Sequence, residues 1–249
     1  MSAPARSGVV ETIAAEMREF CEANANPELV RKYAKFFKEG YDAYGIGHKD
    51  PEWERRREEW TQRLRAAGPS VYLDAGDLLT RTGKYEECSS AILFASAMRD
   101  RYTPAAFRRI GKWFDGGIGN WGHTDILCSL VLSPFLIDEV VGLDELARWR
   151  TSQFKYQRRA VPVAIIPLLD TASDYAPLFA VVEPLMTDSE RVVQQGLGWF
   201  LREAWKRQPQ PSERFLLRYK DTAPRLIVQY ATEKMTAAQK LRFRRSKRP

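Results

Sequence analysis

"SERVVQQGLGWFLREAWKRQP", residues 189–209, decides how this chain folds. At 100° per residue its apolar positions Val193, Leu197, Phe200, Leu201 and Ala204 fall on one face. Gln195, Arg202, Glu203 and Lys206 fall opposite. A half-buried strand would alternate at every second residue, and this run does not. It therefore reads as a long helix with one core face. Trp199 breaks the pattern. Tryptophan on a helix usually joins the core, yet this indole lies among the polar residues.

The same spacing at three and four residues recurs along nearly the whole chain, which predicts an all-α fold. Helices are expected over about 8–22, 27–43, 51–66, 71–81, 84–100, 103–115, 121–136, 143–150, 153–168, 174–185, 189–207, 211–219, 223–232 and 236–244. The breaks between them, "NANP", "GIGHKDP", "AAGPS", "DGGIGN" and "RQPQP", are short turn signals rather than a linker. One domain over residues 1–249 is expected, a solenoid of antiparallel helix pairs.

Two further runs can be compared with the first. In "SQFKYQRRAVPVAIIPLL", residues 152–169, Val161, Ala164, Ile165 and Leu168 form the expected core face, with Lys155 and Arg159 on the far side. In "GNWGHTDILCSL", residues 119–130, Ile126, Leu127 and Leu130 share one face, and Trp121, Asp125 and Cys128 the other, where Leu132 also lies. Asp125, Arg159 and Trp199 are then 34 and 40 residues apart. That is close to the period of about 40 residues in HEAT-type repeats, whose equivalent positions line one concave face.

Composition narrows the function. Hydrophobic residues make up 44% of the 249 and aromatics 12%, as in a folded globular protein. No signal peptide and no membrane span is legible, so a cytoplasmic protein is expected. Three scattered cysteines, Cys21, Cys88 and Cys128, suggest reduced core thiols, not a disulfide framework or a metal site. The formal charge of +7 favours a polyanionic partner, although part of the excess lies in the basic tail, residues 241–249, which a disordered end would also explain.

Each candidate residue also has a plain reading. Asp125 could be a first-turn carboxylate favoured by the helix dipole, or an arginine's partner. His123 reads as a packed residue at a helix start, and His48 as a solvated loop residue. "DGGIGN" follows a helix and lacks the lysine of a phosphate-binding loop, so it reads as a turn.

Taken in order, "YAKFFKEGYDAYGIG" (33–47), "NWGHTD" (120–125), "KYQRRAVPV" (155–163) and "VVQQGLGWFLREAWKRQP" (192–209) resemble the bacterial DNA alkylation repair family of AlkD-like glycosylases. The resemblance covers roughly residues 25–240. Its most specific part is the segment around Gly198, Trp199, Leu201, Arg202 and Glu203. It implies a right-handed superhelix of HEAT-like repeats that removes N3- and N7-alkylated purines from duplex DNA without a base-flipping pocket. Trp121 and Asp125 match the family's Trp-x-x-x-Asp pair, and Trp199 its second active-site tryptophan. Arg159 matches its arginine, with Arg158 as the alternative, and Tyr33 an aromatic near the lesion strand. Lys155, Arg158, Arg202 and Lys206 are suitable phosphate contacts. Many relatives carry an aspartate where this chain has Gly122. The resemblance implies neither cofactor nor metal, a nucleoid-associated monomer, and double-stranded DNA as partner. The family also contains members that bind damaged or branched DNA without excising bases, which is the alternative reading.

Overall fold

The computed structural model describes the backbone of residues 3–246 and the side chains of residues 8–246. Among the described residues all regular structure is helical, as the periodicity predicts, with no strand. It divides into two compact units, Met1–Val131 and Leu132–Pro249.

The first unit contains α1 (Ala3–Ala23), α2 (Pro27–Ala34), α3 (Pro51–Ala67), α4 (Val71–Thr80), α5 (Tyr85–Ala97), α6 (Pro104–Gly111), α7 (Trp113–Gly116) and α8 (Trp121–Leu127). Helices α2, α3 and α6 begin as the sequence signals require. Asn26, Asp50 and Thr103 cap them, each followed by a proline whose missing N–H costs nothing in the first turn. Helix α4 packs on α1, α3 and α5, burying Ile13, Met17, Trp60, Leu64, Leu79 and Ile92.

The helix expected over 27–43 ends at Ala34. Residues 35–50 instead form an irregular segment held by side chains of α5. Glu86 is buried, and its carboxylate accepts backbone N–H bonds from Tyr44 (3.0 Å), Gly45 (2.8 Å) and Ile46 (3.0 Å). Neighbouring Glu87 accepts from the Tyr44 hydroxyl and pairs with Arg18 at 2.9 Å. Gly45 sits at φ +88°, where a Cβ would stand 2.3 Å from the Asn26 carbonyl oxygen. Periodicity could not reveal this, because the carboxylates that fix the segment lie about 40 residues further along the chain.

The second unit contains α9 (Ser133–Ile137), α10 (Leu143–Ala147), α11 (Lys155–Ala164), α12 (Ala176–Val182), α13 (Arg191–Arg207), α14 (Pro209–Arg218), α15 (Arg225–Ala231) and α16 (Ala237–Leu241). Helix α13 is its axis and packs on α11, α14 and α15. The five residues expected on its core face, Val193, Leu197, Phe200, Leu201 and Ala204, are all buried. Two glycines let the neighbours come close. A Cβ on Gly198 would lie 2.4 Å from Tyr230 Cβ of α15, and one on Gly196 would lie 3.1 Å from Arg159 Cγ of α11.

Short 3-10 turns extend several helices, at Arg148–Thr151, Ile166–Asp170 and Glu183–Thr187. A 3-10 turn advances with three residues per turn, so the expected face drifts. Thus Leu169 is buried where Leu168 was expected, while Val161, Ala164 and Ile165 are in the core as predicted. The basic end is anchored through Ser246. Phe243 is buried, its carbonyl accepts from Arg225, and Arg245 donates to the Ala223 carbonyl at 3.0 Å. Of the tail expected to be disordered, residues 241–246 are therefore packed, and residues 247–249 lie outside the described ones.

Candidate functional site

Helix α8 starts at Trp121, behind Asn120. The Asn120 side chain accepts the His123 N–H (2.8 Å) and so caps the helix. Its amide also donates to His123 Nδ1 at 2.8 Å, leaving Nε2–H to donate to the Tyr85 carbonyl at 3.0 Å. His123 is fully buried, and burial pushes its pKa down to about 4. It is a neutral packing residue, stacked on Tyr85 with centroids 4.3 Å apart. The plain reading of this histidine holds.

Trp121 stands differently. It is 42% exposed, its Nε1–H donates to the Phe36 carbonyl at 3.1 Å, and its ring stacks on Phe37 at 5.6 Å. Phe37 in turn stacks on Tyr41 at 4.7 Å, and Tyr85 meets both rings. The indole therefore rests on a pile of aromatics from the 35–50 segment and α5, with the rest of its surface open. Half-buried Asp125 is one turn along α8, which places it on the side of the helix that carries Trp121.

Beyond Asp125 the sequence-based face assignment fails. Leu130 is 37% exposed, whereas Cys128, Val131 and Leu132 are buried with Leu127. The cause is a π turn at Cys128–Leu132 ahead of Pro134. Proline has no N–H to offer the carbonyl four residues back and its ring collides with it, and a wider turn relieves that conflict while shifting the register. Trp121 and Asp125 precede the slip, so their shared face survives it.

The residue between Trp121 and His123 is also informative. Gly122 is buried, and a Cβ there would lie 3.4 Å from Phe37 Cε1 and 3.5 Å from the Tyr85 hydroxyl. The aromatic pile occupies the space that a larger side chain would need.

In the second unit, Trp199 is half-buried on α13. Gln195, one turn earlier, is tied to the Tyr230 hydroxyl at 2.8 Å. Arg159 is buried, with Nη1 donating to the Val192 carbonyl at 2.7 Å. Arg158, the alternative, is spent elsewhere: Nε pairs with Asp188 at 2.7 Å and Nη1 bonds the Ser152 carbonyl at 2.7 Å. The expected phosphate contacts are similarly engaged. Arg202 pairs with Glu203 and Glu233, and Lys206 with Glu203 at 2.7 Å. Lys155 sits over the Tyr156 ring at 5.6 Å. Tyr33, in the first unit, is half-buried at the end of α2, beneath Lys32 at 5.8 Å.

Sequence reasoning singled out Trp121 and Asp125 but missed what holds the indole. Phe36, Phe37, Tyr41, Tyr85 and Glu86 make the support. The available signal was the aromatic density of "YAKFFKEGYDAYGIG", which a helical reading absorbed as periodicity.

The described residues hold no cluster of His, Cys, Asp and Glu that could bind a metal, and all three cysteines are buried and unbridged. No described helix is long and apolar enough to cross a membrane. No curated protein sequence matches the chain. Among solved structures it is similar to a predicted DNA alkylation repair enzyme from Enterococcus faecalis, with a TM-score of 0.72 and 15% identity over 86% of this chain and 97% of that one. That likeness is one of fold. The family model described as "DNA alkylation repair enzyme" matches residues 17–235. The chain belongs to the DNA alkylation repair enzyme family.

Proposed function

We propose that the chain is a DNA glycosylase that hydrolyses the N-glycosidic bond of cationic N3- and N7-alkylated purines in duplex DNA. One observation carries this reading: an exposed indole, fixed by a hydrogen bond and a stack, shares a helix face with a carboxylate one turn away. An alkyl group on N3 or N7 makes the purine cationic. As the bond breaks, its electron pair neutralises the base, which leaves without needing a proton. Positive charge then develops on the sugar as an oxocarbenium ion.

Asp125 is assigned to oppose that charge at C1′ and to orient the attacking water, whose proton passes to the carboxylate and then to solvent. Trp121 is assigned to the sugar face, where a cation-π contact is worth roughly 0.5 to 2 kcal/mol. The second unit is proposed to supply Trp199 as the second indole and Arg159 as the arginine. With Arg158, Arg202 and Lys206 engaged by carboxylates, any phosphate contact from them would have to share those pairs. Alkylated duplex DNA is the proposed partner, met by a single copy of the chain in the nucleoid.

The test is release of base from duplex DNA containing N7-methylguanine, read by chromatography of the free base and by strand scission at the abasic site. Release of N7-methylguanine, with 1,N6-ethenoadenine retained in a parallel duplex, is the expected result. Binding of the alkylated duplex with no release would overturn the glycosylase and favour a non-catalytic binding module.

A further inference from the structure

Phe36 is 54% exposed, more than any other large hydrophobic side chain among the described residues. Exposure alone is ordinary. What sets this ring apart is its mounting. The Phe36 N–H closes a turn onto the Tyr33 carbonyl at 2.9 Å, and the Phe36 carbonyl accepts the Trp121 indole N–H at 3.1 Å. The next residue, Phe37, is locked inward between Tyr41 and Trp121. The backbone of Phe36 is thus fixed to the very indole assigned to the sugar, while its ring faces solvent.

The charge around it differs from that of the second unit. Lys35 Nζ stands 5.1 Å over the Phe36 ring and Lys32 Nζ lies 5.8 Å from the Tyr33 ring. Lys38 is exposed two residues on. Among the described residues no carboxylate forms a salt bridge with any of the three, whereas Arg158, Arg202 and Lys206 are all in ion pairs. An outward aromatic ring beside ammonium groups that no carboxylate neutralises matches a ligand with regularly spaced anions and flat apolar faces between them. Duplex DNA has that surface, and proteins that enter its minor groove part base steps with apolar wedges of this kind.

We propose that Phe36 is a wedge that enters the duplex at the base step beside the sugar held by Trp121, with Lys32, Lys35 and Lys38 on the flanking phosphates. The proposal rests on the function proposed above in taking duplex DNA as the substrate and Trp121 as the indole against the sugar, but not in requiring excision. It assigns Phe36 a positioning role: parting one step opens the stack on the lesion strand and brings the sugar to Trp121 without extruding the base.

The test uses the full chain and a duplex with 2-aminopurine placed next to a tetrahydrofuran abasic analogue, so nothing needs to be cleaved. Binding of the parent protein should raise 2-aminopurine fluorescence several-fold as the base unstacks. Phe36→Asn should abolish that rise and weaken binding about tenfold, while Phe36→Leu, still an apolar wedge, should keep most of it. Replacing Lys32, Lys35 and Lys38 together with glutamine should make the log-log salt slope shallower by about 0.9 for each phosphate that is no longer neutralised. An unchanged fluorescence rise with Phe36→Asn overturns the wedge, as does stronger binding of the parent protein to anionic lipid vesicles than to duplex. Because the readout needs no excision, a protein that unstacks the duplex yet releases no N7-methylguanine keeps the wedge and loses the glycosylase. One that releases base without unstacking does the reverse.

Discussion

The two units present their tryptophans by opposite means. Trp199 rides on α13, a helix of 17 residues whose position is set by backbone closeness: Gly198 meets α15 and Gly196 meets α11. Trp121 starts a helix of only seven residues and is held by groups from outside it, the Phe36 backbone carbonyl and the ring of Phe37. In the second unit the indole's place follows from one amphipathic helix. In the first it depends on a chain of support running from Glu86 through the 44–46 backbone to Phe37. The first unit should therefore be sensitive to changes far from its tryptophan, and the second to changes in its own helix.

The largest effect should come from Glu86→Ala. It leaves three backbone N–H groups at Tyr44, Gly45 and Ile46 without their acceptor, and bonds to a charged group contribute about 1.5 to 3 kcal/mol each. With partial relief by water, a loss of about 3 to 5 kcal/mol is expected in chemical denaturation. Hydrogen exchange should localise it to the first unit, with protection of the Trp121 indole N–H lost. Exchange that rises equally in α13 would break the comparison.

Acid should act next, and on the same unit. Burial lowers the His123 pKa to about 4 from an ordinary 6.5, so the unfolded chain binds the extra proton between those values. Stability from this group is present above pH 6.5 and is lost as pH falls towards 4. From pH 7 to pH 5 the loss should be about 2 kcal/mol. Denaturation curves at the two pH values measure it, and a His123→Asn protein should lose the dependence in this window.

Smaller again is Gly198→Ala. The added methyl collides with Tyr230 and the Ile227 carbonyl, and overpacking of this kind costs about 1 to 3 kcal/mol. The alanine recovers up to about 1 kcal/mol of helix propensity, so a net loss of about 1 to 2 kcal/mol is expected, confined to the second unit. Smallest is Gly122→Ala, whose Cβ would lie 3.3 Å from Asn120 Oδ1 and 3.4 Å from Phe37 Cε1, a slightly tight fit that small side-chain shifts relieve, and should change stability by no more than about 0.5 kcal/mol. If Gly122→Ala costs more than Gly198→Ala, the first unit is the more tightly packed of the two and the contrast is reversed.

Sequence legibility divides along the same line. The α13 core face was readable residue by residue because helical periodicity alone positions it. The Trp121–Asp125 pair was readable because four-residue spacing survives in even a short helix. What lay beyond was not. The end of α2 at Ala34 is imposed by Glu86 and Glu87, remote in sequence, and the exposure of Leu130 by a π turn whose only local signal is Pro134. The commitment of Arg158 to Asp188, and of Arg202 to Glu203 and Glu233, also depends on tertiary partners. Charge at those positions was visible in the sequence, but its availability was not.

The central claim is that Asp125 opposes charge developing on the sugar, and single-turnover excision of N7-methylguanine by Asp125→Asn tests it most directly. Asparagine keeps the size and much of the hydrogen bonding but removes the charge, so stabilisation is lost chiefly in the transition state. Excision should fall on the order of 10²-fold or more, while binding of undamaged duplex holds or tightens slightly. An Asp125→Asn protein that excises at the parent rate would contradict the account and return the aspartate to the role of a first-turn helix carboxylate.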